Sequence, residues 1–276
     1  MKTANGICMA CLPDYAELHC LSNFSFLRGA SHPGELVERA CALGYRALAL
    51  TDECSLAGAV RAHQEAKERG LPLILGAEIT LGGNLKLVAL ATDRRSYGAV
   101  SSLITSGRRR SKKGRYSLGR EDVEKLAGSG TLVLWVPGDD PAPAAWLSER
   151  FRGDAWIAAE LHCGPSDHSR MMRLKDLSRK TGIPLVAAGD VHMHLRSRRR
   201  LQDILTAVRL GKSVAQCGQA LFANAERHLR LRVRLAQLYP PELLAESLAI
   251  AERCRFSLDE LRYEYPAELV PEGHSP

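Results

Sequence analysis

Short apolar runs separated by polar, glycine and proline residues fill the first two-thirds of the chain. Runs over 15–21, 46–51, 73–77, 85–91, 132–136, 156–161 and 183–187 have the length and composition of buried strands. Amphipathic stretches lie between them. Pro33 suits the first position of a helix through 35–41, with Gly44 as its stop. A second helix begins near 56–60 and ends at 70–72, a third lies near 97–105, and a fourth covers 171–181. This alternation predicts a parallel sheet with crossover helices. Past about residue 200 the period changes. Stretches 201–210, 225–238 and 242–253 read as consecutive helices, the last two broken by Tyr239-Pro240-Pro241, and no strand signal returns.

Five of the apolar runs end in residues able to bind a metal or move a proton. The first carries His19, the second delivers Asp52 and Glu53, and the third delivers Glu78. The run at 156–161 leads to His162 and Cys163, and the last leads to Asp190 and His192. In barrels and open α/β sheets the site lies at the carboxyl ends of parallel strands. Asp190 and His192 are two residues apart, so extended geometry would aim both to one side. A carboxylate and an imidazole so placed are natural ligands for Zn or Mn. His32, His63 and His194 read as loop, solvated and surface residues.

Composition adds bounds rather than chemistry. A chain of 276 residues with 45% hydrophobic and 25% charged residues describes an ordinary globular protein. No apolar run reaches the roughly 20 residues of a membrane span, and no apolar leader follows Lys2, so the expected location is cytoplasmic. Eight cysteines, several in apolar runs, do not form a disulfide framework, and Cys8-Met9-Ala10-Cys11 has no second CxxC to complete a zinc site. The net charge of +7 suits a polyanionic partner. Three clusters carry it: Arg108, Arg109, Arg110, Lys112, Lys113 and Arg115; then Arg196, Arg198, Arg199 and Arg200; then Arg227, Arg230, Arg232 and Arg234, expected on one helix. Few aromatics accompany them in sequence. Sequence-blind contact with DNA phosphates is the functional use they suggest, with Arg108, Arg109, Arg110, Arg198, Arg199 and Arg200 the candidate contacts.

The terminal residues of the runs also carry a family resemblance. His19, then Thr51-Asp52-Glu53, Gly76-Ala77-Glu78 and Gly189-Asp190-Val191-His192 resemble the motif series of PHP (polymerase and histidinol phosphatase) domains. The stretches 16–33, 189–198 and 251–266 are similar to one branch of it, the bacterial error-prone DNA polymerases of the C family. The resemblance runs from Tyr15 to the end of the chain. It implies an α/β fold, a PHP-type distorted (β/α)7 barrel over 14–200, followed by a small helical segment over 201–260. Residues 1–13 would be a disordered extension and 261–276 an extended tail. Nothing in the chain resembles the polymerase palm, so the chain by itself is not expected to polymerise DNA.

Carried over residue by residue, the family's metal site is incomplete. His19, Glu78, Asp190 and His192 match ligand positions, but Leu21 stands where a second His belongs. Arg28 occupies the next ligand position, Glu53 replaces a His, Lys86 falls near a later one, and His162 or Cys163 occupies a further motif. The resemblance therefore implies a remnant site of His19, Glu53, Glu78, Asp190 and His192. Arg28 and Lys86 would supply fixed positive charge in place of metal. No cofactor is expected beyond residual Zn or Mn, and Mg would belong to the whole polymerase only. The implied partners are the remainder of the polymerase, DNA, and damage-tolerance or replication proteins, with no membrane. The rival expectation is a metal-dependent phosphoesterase or 3′–5′ exonuclease of the same class.

Overall fold

The computed structural model describes residues 12–262. Cys8, Cys11 and most of the two terminal segments lie outside the described residues. Seven strands form one sheet in sequential order: β1 (Ala16–Glu17), β2 (Ala47–Leu50), β3 (Leu73–Thr80), β4 (Lys86–Leu90), β5 (Leu132–Val136), β6 (Ala155–Ala159) and β7 (Leu185–Ala187). Between them run α1 (Pro33–Ala42), α2 (Ala59–Arg69), α3 (Arg94–Arg109), the single turn α4 (Arg120–Val123), α5 (Pro143–Arg150) and α6 (Asp167–Thr181). After β7 come α7 (Arg199–Leu210), α8 (Val214–Cys217), α9 (Arg232–Leu238) and α10 (Pro241–Arg253).

The expected all-parallel sheet is corrected at one strand. β4 pairs antiparallel with both β3 and β5, whereas the other neighbours are parallel. The cause is local. Only residues 81–85 join β3 to β4, too short for a crossover helix, and Gly83 and Asn84 there take the positive φ of a tight turn. Reversal has a functional consequence: the amino end of β4 lies with the carboxyl ends of its neighbours, so Lys86 sits opposite Thr80 at the site end.

Alternation divides the sheet into two faces. Ala16, Leu18, Ala49, Val88, Leu134, Ala158 and Val186 belong to an interior cluster of small and branched side chains. The opposite parity packs under the helices in a larger core around Leu36, Leu48, Leu87, Trp135 and Ile157. The sheet curls until β1 and β7 approach, but they meet only beyond their ends. There Cys20 and Val191 form a parallel bridge, with the Leu21 amide donating to the Val191 carbonyl at 2.8 Å. Towards the amino end the gap is filled by α10. Ser247 Oγ accepts the Ala16 amide at 3.1 Å, and Ile250 joins the interior cluster. Within the seam, the buried Glu17 carboxylate accepts the amides of His19 (3.0 Å) and Gly189 (2.8 Å), standing in for a missing strand. Any side chain at 189 would collide with Glu17, its Cβ only 2.3 Å from the carboxylate oxygen.

The helical segment differs from expectation. The helix expected over 225–238 begins only at Arg232. Residues 224–231 instead lie along the end of the barrel, where Met193 and His228 form a bridge and the Arg227 carbonyl accepts the amides of His192 and Met193. Tertiary hydrogen bonds override the helical period there. Arg227 and Arg230 consequently point inward instead of forming a solvated helix face; both are largely buried.

Candidate metal centre and basic cleft

The interior parity of four strands ends in ionisable residues: Glu78 on β3, Lys86 on β4, Glu160 just past β6 and Asp190 past β7. They converge around His19. Its Nδ1 lies 2.7 Å from Glu160 Oε1 and its Nε2 lies 3.0 Å from Glu78 Oε2. A carboxylate on each side of the ring favours its protonated form, the imidazolium. Burial works against that charge, but the Glu160 and Glu78 carboxylates outweigh it and hold the His19 pKa above its ordinary value.

Glu78 is the hub. Fully buried, it accepts from His19, from Arg28 NH1 at 2.5 Å and from Lys86 Nζ at 3.2 Å. Burial would raise its pKa; the His19 hydrogen bond and the Lys86 and Arg28 cations reverse that and hold it well below the usual carboxylate range. Arg28 also reaches Glu53 Oε2 at 2.7 Å, and Tyr116 donates to the other Glu53 oxygen at 3.1 Å. Asp190 pairs with the Arg227 guanidinium, which lies over the Phe222 ring. Glu53, Glu78, Glu160 and Asp190 are thus matched by Arg28, Lys86, Arg227 and the His19 imidazolium.

The expected geometry of Asp190 and His192 is corrected. Asp190 has φ +45, so the two do not project from an extended strand. They bond to each other instead, His192 Nε2 to Asp190 Oδ1 at 3.1 Å. His192 Nδ1 faces the Arg28 carbonyl at 3.1 Å, and burial with the nearby Arg28 cation pushes its pKa down to about 3. His162 is also held neutral, its pKa lowered to about 2 by burial and by Arg227 and Arg230, and its Nε2 faces the Gly189 carbonyl. Cys163 contacts Glu226 and Arg234 away from the cluster. Asp52 serves structure: it accepts from the amides and hydroxyls of Ser22 and Ser25 and so fixes the turn that presents Arg28. His194 bonds Ser31, and His63 faces Asp259.

Among the described residues, His19, Glu78 and Asp190 offer donor atoms within 4.8 Å of one another, a set that could hold one metal ion. Each of those side chains is already engaged, His19 by two carboxylates, Glu78 by two cations and Asp190 by Arg227. Sequence reasoning placed His19, Arg28, Glu53, Glu78, Lys86, Asp190 and His192 here, and the fold brings all seven together. It missed Glu160 and Arg227. Glu160 shares the parity of Trp156 and Ala158, which was readable; no local signal marks Arg227.

A cleft of about 850 Å³ opens from the cluster, lined by Arg28, Glu53, Lys86, Arg108, Arg115 and Arg209 together with Phe24, Phe26 and Tyr116. Arg108 spends its guanidinium on the carbonyls of Glu53 and Cys54 and lies over the Tyr116 ring. The cleft therefore has excess positive charge beside aromatics that are distant in sequence. Of the other candidate phosphate contacts, Arg110 pairs with Asp122, Arg198 with Glu35 and Arg199 with Asp203. Arg109 and Arg200 are exposed.

Residues 17–144 match the PHP domain family model. The chain is 60% identical over 271 residues to the error-prone DNA polymerase of Dechloromonas aromatica, a match covering 96% of this chain and 26% of that protein. With the error-prone DNA polymerase of Methylococcus capsulatus it shares 56% over 271 residues, 97% of this chain and 26% of that one. A solved amidohydrolase from Chromobacterium violaceum has the same fold, with TM-score 0.50 and 16% identity over 64% of this chain and 87% of its own. The chain spans about a quarter of the length of the curated relatives it matches. It carries a PHP domain and is similar, over nearly its whole length, to about a quarter of the length of error-prone DNA polymerases.

Proposed function

We propose that this chain serves as the PHP portion of an error-prone DNA polymerase, in translesion synthesis and DNA repair in the cytoplasm, with a non-catalytic site. The observation that carries the reading is the charge balance: four clustered carboxylates meet three fixed cations and one imidazolium. Clustered carboxylates repel or protonate unless cations lie among them. In a metal centre those cations are the ions; here Arg28, Lys86 and Arg227 take that part. An imidazolium has no free lone pair for a metal, and the guanidinium groups of Arg28 on Glu78 and Arg227 on Asp190 occupy the two carboxylates of the donor set. The donor set therefore does not fit a bound metal as arranged.

The role left to the domain is mechanical and electrostatic. Its closed core braces the polymerase, and the cleft offers Arg115 and Arg209 to DNA phosphates without hydrolysing them. The rival reading, a metal-dependent phosphoesterase, draws on the convergence of His19, Glu78 and Asp190. The two differ in outcome. Incubation with bis(p-nitrophenyl) phosphate and Mn or Zn should release no p-nitrophenol above a no-protein control. Release that disappears in Asp190→Ala would establish the phosphoesterase.

A further inference from the structure

Helix α7 is built inside out. Gln202 and Thr206, one turn apart, face inward and are buried, Gln202 donating to the Arg28 carbonyl at 2.7 Å. Leu201, Ile204 and Val208 share the opposite face and are 36%, 50% and 59% exposed, with Leu205 half-buried beside them. An amphipathic helix of a finished surface does the reverse. The stripe continues onto Phe26, 82% exposed, which lines a cavity of about 270 Å³ together with Leu201 and Leu205. A contiguous apolar surface with a ridge and an adjoining pocket marks an interaction site rather than scattered exposure.

Resting on the proposed function, we infer that this face of α7, with Phe26, is where the rest of the polymerase packs against the PHP domain. The chain accounts for 26% of its relatives' length, so a large polypeptide surface remains to cover the stripe. Charge narrows its chemistry. Arg200 is exposed on the same helix, so the complementary surface is an apolar helix or turn flanked by a carboxylate. A second copy of this chain fits less well, because a two-fold contact through the stripe would bring Arg200 towards its own equivalent.

The test is a full-length polymerase in which this chain replaces the matching stretch of the Dechloromonas aromatica protein. Ile204→Glu with Val208→Glu should leave the thermal midpoint of the 276-residue chain alone within about 1 °C, because both positions are exposed there. In the full-length protein the same pair should speed tryptic cleavage between the PHP segment and the remainder by about tenfold or more, as the contact opens. Val60→Glu with Met172→Glu, on other exposed faces, should leave both the midpoint and the cleavage rate unchanged. A graft that extends primers but is indifferent to the α7 pair overturns the docking face and leaves the proposed function standing. A graft that cannot extend primers overturns both. A concentration-dependent dimer of the chain alone, abolished by the α7 pair, assigns the stripe to a second copy and also overturns the inference.

Discussion

On the proposed reading, Arg28 takes the place of a metal ion. It bridges Glu53 and Glu78 from a turn held by Asp52. Removing one partner of a buried ionic network leaves an uncompensated charge, which costs about 3–5 kcal/mol. Arg28→Met should therefore lower unfolding stability in urea by about 3 kcal/mol, and adding Glu78→Gln should recover part of the loss. A single-variant cost under about 1 kcal/mol would mean that Arg28 does not neutralise the cluster. The sequence made Arg28 legible because its motif is continuous from Ala16 to Pro33. Arg227 was illegible because its contact with Asp190 depends on a chain reversal that no local period announces.

Among the elements, α10 does what the strands leave undone. Its helical period is plain in the sequence over 242–253, yet nothing there reveals that Ser247 and Ile250 plug the gap between β1 and β7. Gly82-Gly83-Asn84 has the composition of a turn, but only the strand pairing reveals that β4 runs antiparallel to its neighbours. Ile250→Ala should cost about 2–4 kcal/mol by opening a cavity in the barrel interior. Ser247→Ala should cost about 1–3 kcal/mol by stranding the Ala16 amide. Both are measured by urea unfolding. Values near zero at both positions would mean that α10 lies on the barrel rather than within its closure.

At the scale of the whole molecule, buried histidines set the response to pH. His162 and His192 have folded pKa values of about 2 and about 3, below the unfolded value near 6.5. Both states are neutral above pH 6.5. Below it the unfolded chain takes up protons that the folded one refuses, and each histidine withdraws up to about 1.4 kcal/mol per pH unit. His19 runs the other way. Its raised folded pKa gives stabilisation that is full below about pH 6.5 and fades as pH rises through the folded value. The urea midpoint should fall between pH 6.5 and 5.0, and fall less in His162→Gln. An unchanged midpoint over that interval in both proteins would contradict the buried neutral state.

The proposed exchange of metal for fixed cations is tested most directly by the metal content of the purified, dialysed chain, measured by plasma mass spectrometry. Arg28, Lys86 and Arg227 on the carboxylates predict less than about 0.1 equivalent of Zn or Mn, since both carboxylate donors, Glu78 and Asp190, carry a cation already. One equivalent or more, retained through dialysis and lost in His192→Ala or Asp190→Ala, would show that the site still holds its ion and that the cations are bystanders.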